Sequence, residues 1–122
     1  MSELQRFAEQ HALAASHFTG IGAFNHALVG FFDRKQMDYL KIPIKEQVEV
    51  LSLTGNITLS EEGYKVHAHT VLGKSDASAI GGHVLEAHVW PTLEVIVEES
   101  PKHLLRQTDP ETSLPLLDLG SE

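Results

Sequence analysis

Near the amino terminus, apolar residues recur at helical spacing: Leu4, Phe7, Ala8, His11 and Ala12 share one side of a 3.6-residue repeat. Ser2 and Gln5 match the S-x-x-Q capping pattern, so a helix over Ser2–Ala15 is predicted. From Ser16 onward the pattern changes to glycine-punctuated runs of β-branched and aromatic residues, which predict strands over His17–Phe24, His26–Asp33 and Asp38–Ile44. The polar segment from Asp33 to Met37 reads as a hairpin connection. Glu46–Leu59 alternates with period two, putting Val48, Val50, Ser52 and Thr54 on one face and Glu49, Leu51 and Leu53 on the other. A turn at Ser60–Gly63 leads to a strand over Tyr64–Leu72, and a polar loop, Gly73–Ala79, precedes the long apolar run His83–Glu98. Pro91 interrupts that run; it cannot donate to a sheet ladder, so a bulge, an edge position or a break is expected there. Pro101–Glu122 holds three of the five prolines, and Ser113–Leu119 can add a last strand. One helix with about seven strands implies an α+β domain, a mostly antiparallel sheet with the helix laid on one face.

Composition narrows the function classes more than the fold. At 122 residues the chain has the length of a single domain, read as a core over about residues 3–100 with 101–122 as a C-terminal extension. A net charge of −8 repels polyanions at long range, and the nine Lys and Arg are dispersed with Arg34-Lys35 as the densest pair, so any DNA contact would need a local basic patch. Cysteine is absent, which removes disulfides, thiolate nucleophiles and cysteine-ligated zinc. Metal binding has to use His or carboxylate. The first ten residues have no signal-peptide core and no stretch approaches the roughly 18 apolar residues of a membrane span, so a cytoplasmic location without membrane contact is expected.

Histidine supplies the one chemical constellation. His67-Ala68-His69 lies in a predicted strand, where alternation sends both imidazoles to one face while Val66, Ala68 and Thr70 point the other way. After the Gly73–Ala79 loop comes Gly81-Gly82-His83. The two glycines permit backbone angles closed to other residues and let the next strand start hard against its neighbour, bringing a third imidazole to the first two. Three neutral histidines with an open position suit zinc, nickel, copper or ferrous iron. In the plainer alternative His67 and His69 simply line a polar sheet face or a subunit interface. His88, five residues beyond His83, falls on the opposite face of a regular strand and is set aside; His11, His17, His26 and His103 have no partner at ligand spacing.

Other motifs fail on inspection. Gly73-Lys74-Ser75 would need a glycine at position 68, occupied by Ala68, to end a phosphate-binding loop, and Gly20-Ile21-Gly22 would need one at position 25, occupied by Asn25, for a dinucleotide fingerprint. Ser75, Asp76 and Ser78 lack the G-x-S-x-G elbow of a hydrolase. Glu86 reads as a solvated or salt-bridged strand residue. Glu94, after the Pro91-Thr92 break and amid Leu93, Val95 and Ile96, is the candidate site carboxylate that a metal-dependent hydrolase or lyase would require.

Taken together, Gly20-Ile21-Gly22-Ala23, the segment Glu49–Ile57, His67-Ala68-His69, Gly81-Gly82-His83 and Pro91-Thr92-Leu93-Glu94-Val95, in this order and spacing, resemble the PPC domain (plant and prokaryote conserved, also written PCC). The resemblance implies an α+β domain assembled as a homotrimer, with strands pairing across subunits. It also implies a divalent metal, zinc first, at the histidines His67, His69 and His83. A DNA association is implied as well, because plant relatives carry the domain behind AT-hooks; none of Arg6, Arg34 or Arg106 stands in an Arg-Gly-Arg core, so the label does not transfer through that element. Relatives usually begin with a strand ahead of the helix. Here Met1 directly precedes Ser2, and a start assigned too late is the expectation, since an unpaired sheet edge is a liability.

Overall fold

In the computed structural model, which describes residues 1–100 and 105–119, the amino-terminal helix α1 runs only over Ser2–His11. Met1 takes the N-cap position and no side chain caps the helix, so the expected Ser2–Gln5 capping box does not form. The early end has a packing cause. Ala12 turns left-handed, with φ 53°, and its backbone N–H bonds back to Ala8. A left-handed alanine costs about 1–2 kcal/mol. The turn delivers Leu13, Ala14 and Ala15 into the core, where burial offsets that cost.

Among the described residues seven strands follow: β1 (Ala15–Asp33), β2 (Asp38–Ile44), β3 (Val48–Ser60), β4 (Gly63–Gly73), β5 (Ala79–Glu99), β6 (Leu105–Thr108) and β7 (Pro115–Asp118). Their order is β2-β1-β5-β4-β3-β6-β7, antiparallel throughout except for a single parallel bridge between Leu59 of β3 and Leu105 of β6. The first half of β1 also pairs with β3, so β1, β5, β4 and β3 close on one another around Phe18, Phe24, Val29, Leu53, Ile57 and Leu72. Each large apolar side chain fully buried there contributes roughly 1.5–3 kcal/mol.

Three features depart from simple alternation. The two strands predicted on either side of Asn25 are one strand, β1, whose halves serve different neighbours: β3 in the first half, β2 in the second. In β3, Val50 pairs with Leu72 and Ser52 with Val71, leaving Leu51 as a bulge residue. The phase of the strand flips there, so Val50 and Leu53 are both buried while Leu51 is exposed, against the face assignment predicted from period two. Around Pro91 the expected interruption is present as a bulge: Gly22 pairs with Leu93 and Phe24 with Val89, so Trp90, Pro91 and Thr92 face the single residue Ala23. The extension adds β6, which the sequence pattern did not predict, and β7 within the predicted Ser113–Leu119.

Candidate metal centre

His67 and His69 point to one face of β4 because their neighbours are claimed by the core: Ala68 and Thr70 are buried, and Leu72 is fully so. His83 of β5 is the direct cross-strand partner of His69. The three rings meet as the spacing predicted, with centroids 5.0 to 5.4 Å apart. Nε2 of His67 is 3.1 Å from Nε2 of His69, and one ligand nitrogen from each of the three residues lies within 4.8 Å of the others.

The glycines ahead of His83 act through close approach. Neither Gly81 nor Gly82 has a positive φ. A Cβ at Gly81 would sit 2.3 Å from the Thr70 carbonyl oxygen, and one at Gly82 would sit 2.7 Å from that of Gly30. The expectation that they supply unusual backbone angles is therefore corrected: bare backbone is needed on both sides, so that β5 can fit between β4 and β1. The same demand starts β5 at Ala79, four residues ahead of the predicted His83.

Two residues join the site that the sequence did not nominate. Tyr39 of β2 stacks on His83, ring centroids 4.5 Å apart and planes within 17°. To do so it crosses β1 at Gly30, where a Cβ would come within 2.8 Å of the tyrosine ring. Arg106 of β6 reaches in from the other side. It is buried, and its guanidinium donates to Thr58 Oγ1 at 2.8 Å, the Pro115 carbonyl at 2.7 Å and Asn56 Oδ1 at 2.6 Å. Asn56 is the cross-strand partner of His67. Tyr39, Lys65, His67, His83, Arg106 and Pro115 are among the residues that wall a cavity of about 150 Å3 beside the histidines.

Electrostatics favour neutral imidazoles here. Burial, then the proximity of His67, His69 and Lys65, lowers the His83 pKa to about 4. His67 is lowered by burial first and then by Arg106, His69 and Lys65. Nδ1 of His83 is buried without a hydrogen-bond partner. A buried ring nitrogen left unsatisfied costs free energy, and neutral nitrogens with open lone pairs are what a divalent cation binds. A zinc ion about 2.0–2.1 Å from each nitrogen would hold them roughly 3.4 Å apart, close to the His67–His69 separation. The donor set fits such an ion, which would supply Lewis acidity there.

The remaining candidates lie elsewhere. Glu94 stands opposite Ile21, nine positions along β1 from Gly30, the partner of His83, or roughly 30 Å at strand rise, so within one chain it is not a carboxylate of this site. His88 does not lie on the face opposite His83, where regular alternation predicts it. A bulge at Leu85, between the Leu28–Glu86 and Val29–Val84 pairs, returns it to the same face as His83. It is excluded by distance, four paired positions away, where its ring stacks on His26 at 4.0 Å. His17 is 3.3 Å from Glu98 and His11 packs on Phe7; His103 lies outside the described residues. Asp76 accepts from the backbone and hydroxyl of Ser78 within an exposed turn.

Comparison with known proteins gives a consistent picture. The description of the Plants and Prokaryotes Conserved (PCC) domain matches residues 1–101. A PPC protein of Pyrococcus horikoshii is similar at 26% identity and TM-score 0.91, over 99% of this chain and 84% of that one. A metal-containing protein of Archaeoglobus fulgidus is similar at 33% identity and TM-score 0.87, covering 95% and 82% of the two chains. A Bacteroides thetaiotaomicron protein whose name proposes DNA binding is similar at 32% identity and TM-score 0.90, covering 96% and 82%. No match was found among curated proteins.

Proposed function

Because this chain belongs to the Plants and Prokaryotes Conserved domain family, we propose that it is a metal-binding member in which His67, His69 and His83 hold one divalent cation, with zinc the first candidate. The observation that carries this reading is the convergence of three imidazoles, with the ligand nitrogens within 4.8 Å of one another and Nδ1 of His83 buried without a partner. A metal-containing relative at 33% identity supports it. Three histidines with an open fourth position are a ligand set used by catalytic zinc sites, and nickel, copper and ferrous iron accept the same donors. The test is elemental analysis of protein purified without a polyhistidine tag. About one metal per chain, lost in His67→Ala and His83→Ala, supports the reading; a metal-free wild type ends it.

The assembly belongs to the same proposal. Ile21 and Ile96 are exposed on diagonal neighbours of the β1–β5 ladder, and large apolar side chains left outside a monomer mark contact surfaces. A homotrimer, the assembly implied by the resemblance, would cover them. Sedimentation equilibrium at three times the chain mass is the expected result, and a monomer contradicts it.

A DNA-binding reading rests on the names of the Bacteroides thetaiotaomicron and Ralstonia eutropha neighbours. The net charge of −8 opposes it. Fluorescence anisotropy with an A·T-rich duplex at physiological salt separates the two readings, and saturable binding there would favour the DNA role.

A further inference from the structure

Among the described residues Arg106 has no carboxylate counterion within ion-pair distance of its guanidinium. It is 9% exposed. Its three hydrogen bonds use neutral acceptors: a threonine hydroxyl, a backbone carbonyl and an amide oxygen. Those bonds occupy Nε–H and one N–H on each terminal nitrogen, so two of the five donors, one on each terminal nitrogen, are left. A buried charge is costly unless it is both hydrogen-bonded and paired with an opposite charge, and here the hydrogen bonds are present while the pairing charge is not. Glu61 and Glu62 line a second hollow that Arg106 and Lys65 also border, but neither is within ion-pair distance of the guanidinium.

The cavity beside the histidines collects the same sign of charge. Arg106 and Lys65 both line it, together with His67 and His83, which are electrically neutral, and the apolar Val66, Leu114 and Leu116. Adding a divalent cation at the histidines makes the excess larger, because three neutral ligands cancel none of its charge. At about 150 Å3 the cavity is well below the roughly 300–1,000 Å3 of sites for drug-sized ligands. The space admits a small molecule, and a negative one balances the two cations.

We propose that this cavity is an oxyanion pocket, in which Arg106, aided by Lys65, holds one small oxyanion next to the cation bound by His67, His69 and His83. The occupant's chemistry is a compact carboxylate or phosphate group. Arginine suits it because a planar guanidinium presents paired donors to two oxygens, whereas a lysine offers only a point charge. The hydrogen bonds to Thr58, Asn56 and Pro115 fix the guanidinium before the anion arrives. This inference rests on the metal reading above.

Cobalt(II) substitution tests it, because the visible absorption of a three-histidine cobalt site reports any anion that joins it. Cobalt-loaded protein is titrated separately with orthophosphate and with malonate at constant ionic strength, against chloride. A saturable spectral change with either oxyanion and not with chloride supports the proposal, and the tighter of the two identifies the phosphate or the carboxylate source. Arg106→Gln is expected to keep cobalt at the wild-type ratio and to weaken the oxyanion by at least about 10-fold, as loss of a charge-assisted hydrogen bond does. Arg106→Lys should fall between. Cobalt bound with no oxyanion response, or Arg106→Gln with wild-type anion affinity, overturns the proposal while leaving the metal site standing. Failure of the wild type to bind cobalt removes the metal reading instead, and this inference with it. If both variants fail to fold, phosphate-soaked crystals of the cobalt-loaded wild type decide: density against the guanidinium supports the pocket, and its absence overturns it.

Discussion

Two groups of histidines sit on the same face of the same sheet and behave differently. His83 and His88 both belong to β5, and each has a histidine opposite it on a neighbouring strand: His69 on β4 for the first, His26 on β1 for the second. The pair formed by His26 and His88 is a flat stack on an exposed ladder, with Glu86 4.0 Å from His88. The other pair becomes a triad because His67 lies two residues from His69 on the same face. It becomes a half-buried one because Tyr39 and Arg106 close over it from β2 and β6. Cross-strand pairing therefore brings two rings together cheaply. Desolvation and a third ring are what turn proximity into a ligand set.

Metal retention is where the contrast should be widest. His67→Ala or His83→Ala is expected to lower affinity by more than the roughly 10–100-fold that follows loss of a residue hydrogen-bonded to a ligand, whereas the double variant His26→Ala, His88→Ala should keep the wild-type ratio. Inductively coupled plasma mass spectrometry on dialysed samples reads both. Equal loss in the two sets would show that the stacked pair is the real site.

The next effect comes from the backbone around the triad. Gly81→Ala places a methyl group 2.3 Å from the Thr70 carbonyl, which must push β5 from β4. A cost of about 1–3 kcal/mol is expected in urea unfolding, with weakened metal binding, while no such clash confronts an alanine at His88. An unchanged unfolding midpoint in Gly81→Ala would mean that the strands are not packed this closely.

Acid provides a third comparison. With its folded pKa lowered to about 4 against about 6.5 in the unfolded chain, the ring of His83 is neutral in the fold where the unfolded chain already takes a proton. The unfolded state then binds more protons over that interval, so stability rises with pH from about 4 to about 6.5 and is unaffected by this group above it. Chelator-treated protein should accordingly lose stability as pH falls through that window, and His83→Leu should flatten the slope. Urea midpoints at half-unit pH intervals give the slopes, and identical slopes in wild type and His83→Leu would contradict the assignment.

Smallest of the four is Tyr39→Leu, which removes the stack on His83 and is expected to cost about 0.5–1.5 kcal/mol in metal affinity or stability. Calorimetric zinc titration measures it.

The triad was legible in the sequence because its logic is local. Period two fixes His67 and His69, and a short loop ending in glycines returns His83 beside them. Tyr39 and Arg106 were not legible, since their approach depends on contacts between distant segments: Tyr39 stacks on His83, 44 positions later, and Arg106 bonds to residues 48 and 50 positions earlier in the chain. Bulges explain the remaining misreadings. A single extra residue at Leu51 reverses which side of β3 is buried, and another at Leu85 moves His88 across the sheet, while the alternating pattern itself carries no mark of either. The helix was overextended for a related reason: Leu13, Ala14 and Ala15 continue an apolar run, but the core that buries them belongs to the sheet.

X-ray absorption at the zinc edge, on zinc-loaded protein, examines the coordination that everything here depends on. Three imidazole nitrogens at about 2.0–2.1 Å are expected, with the multiple-scattering signature of histidine rings and one further light-atom ligand. A first coordination sphere with one imidazole or none would contradict it.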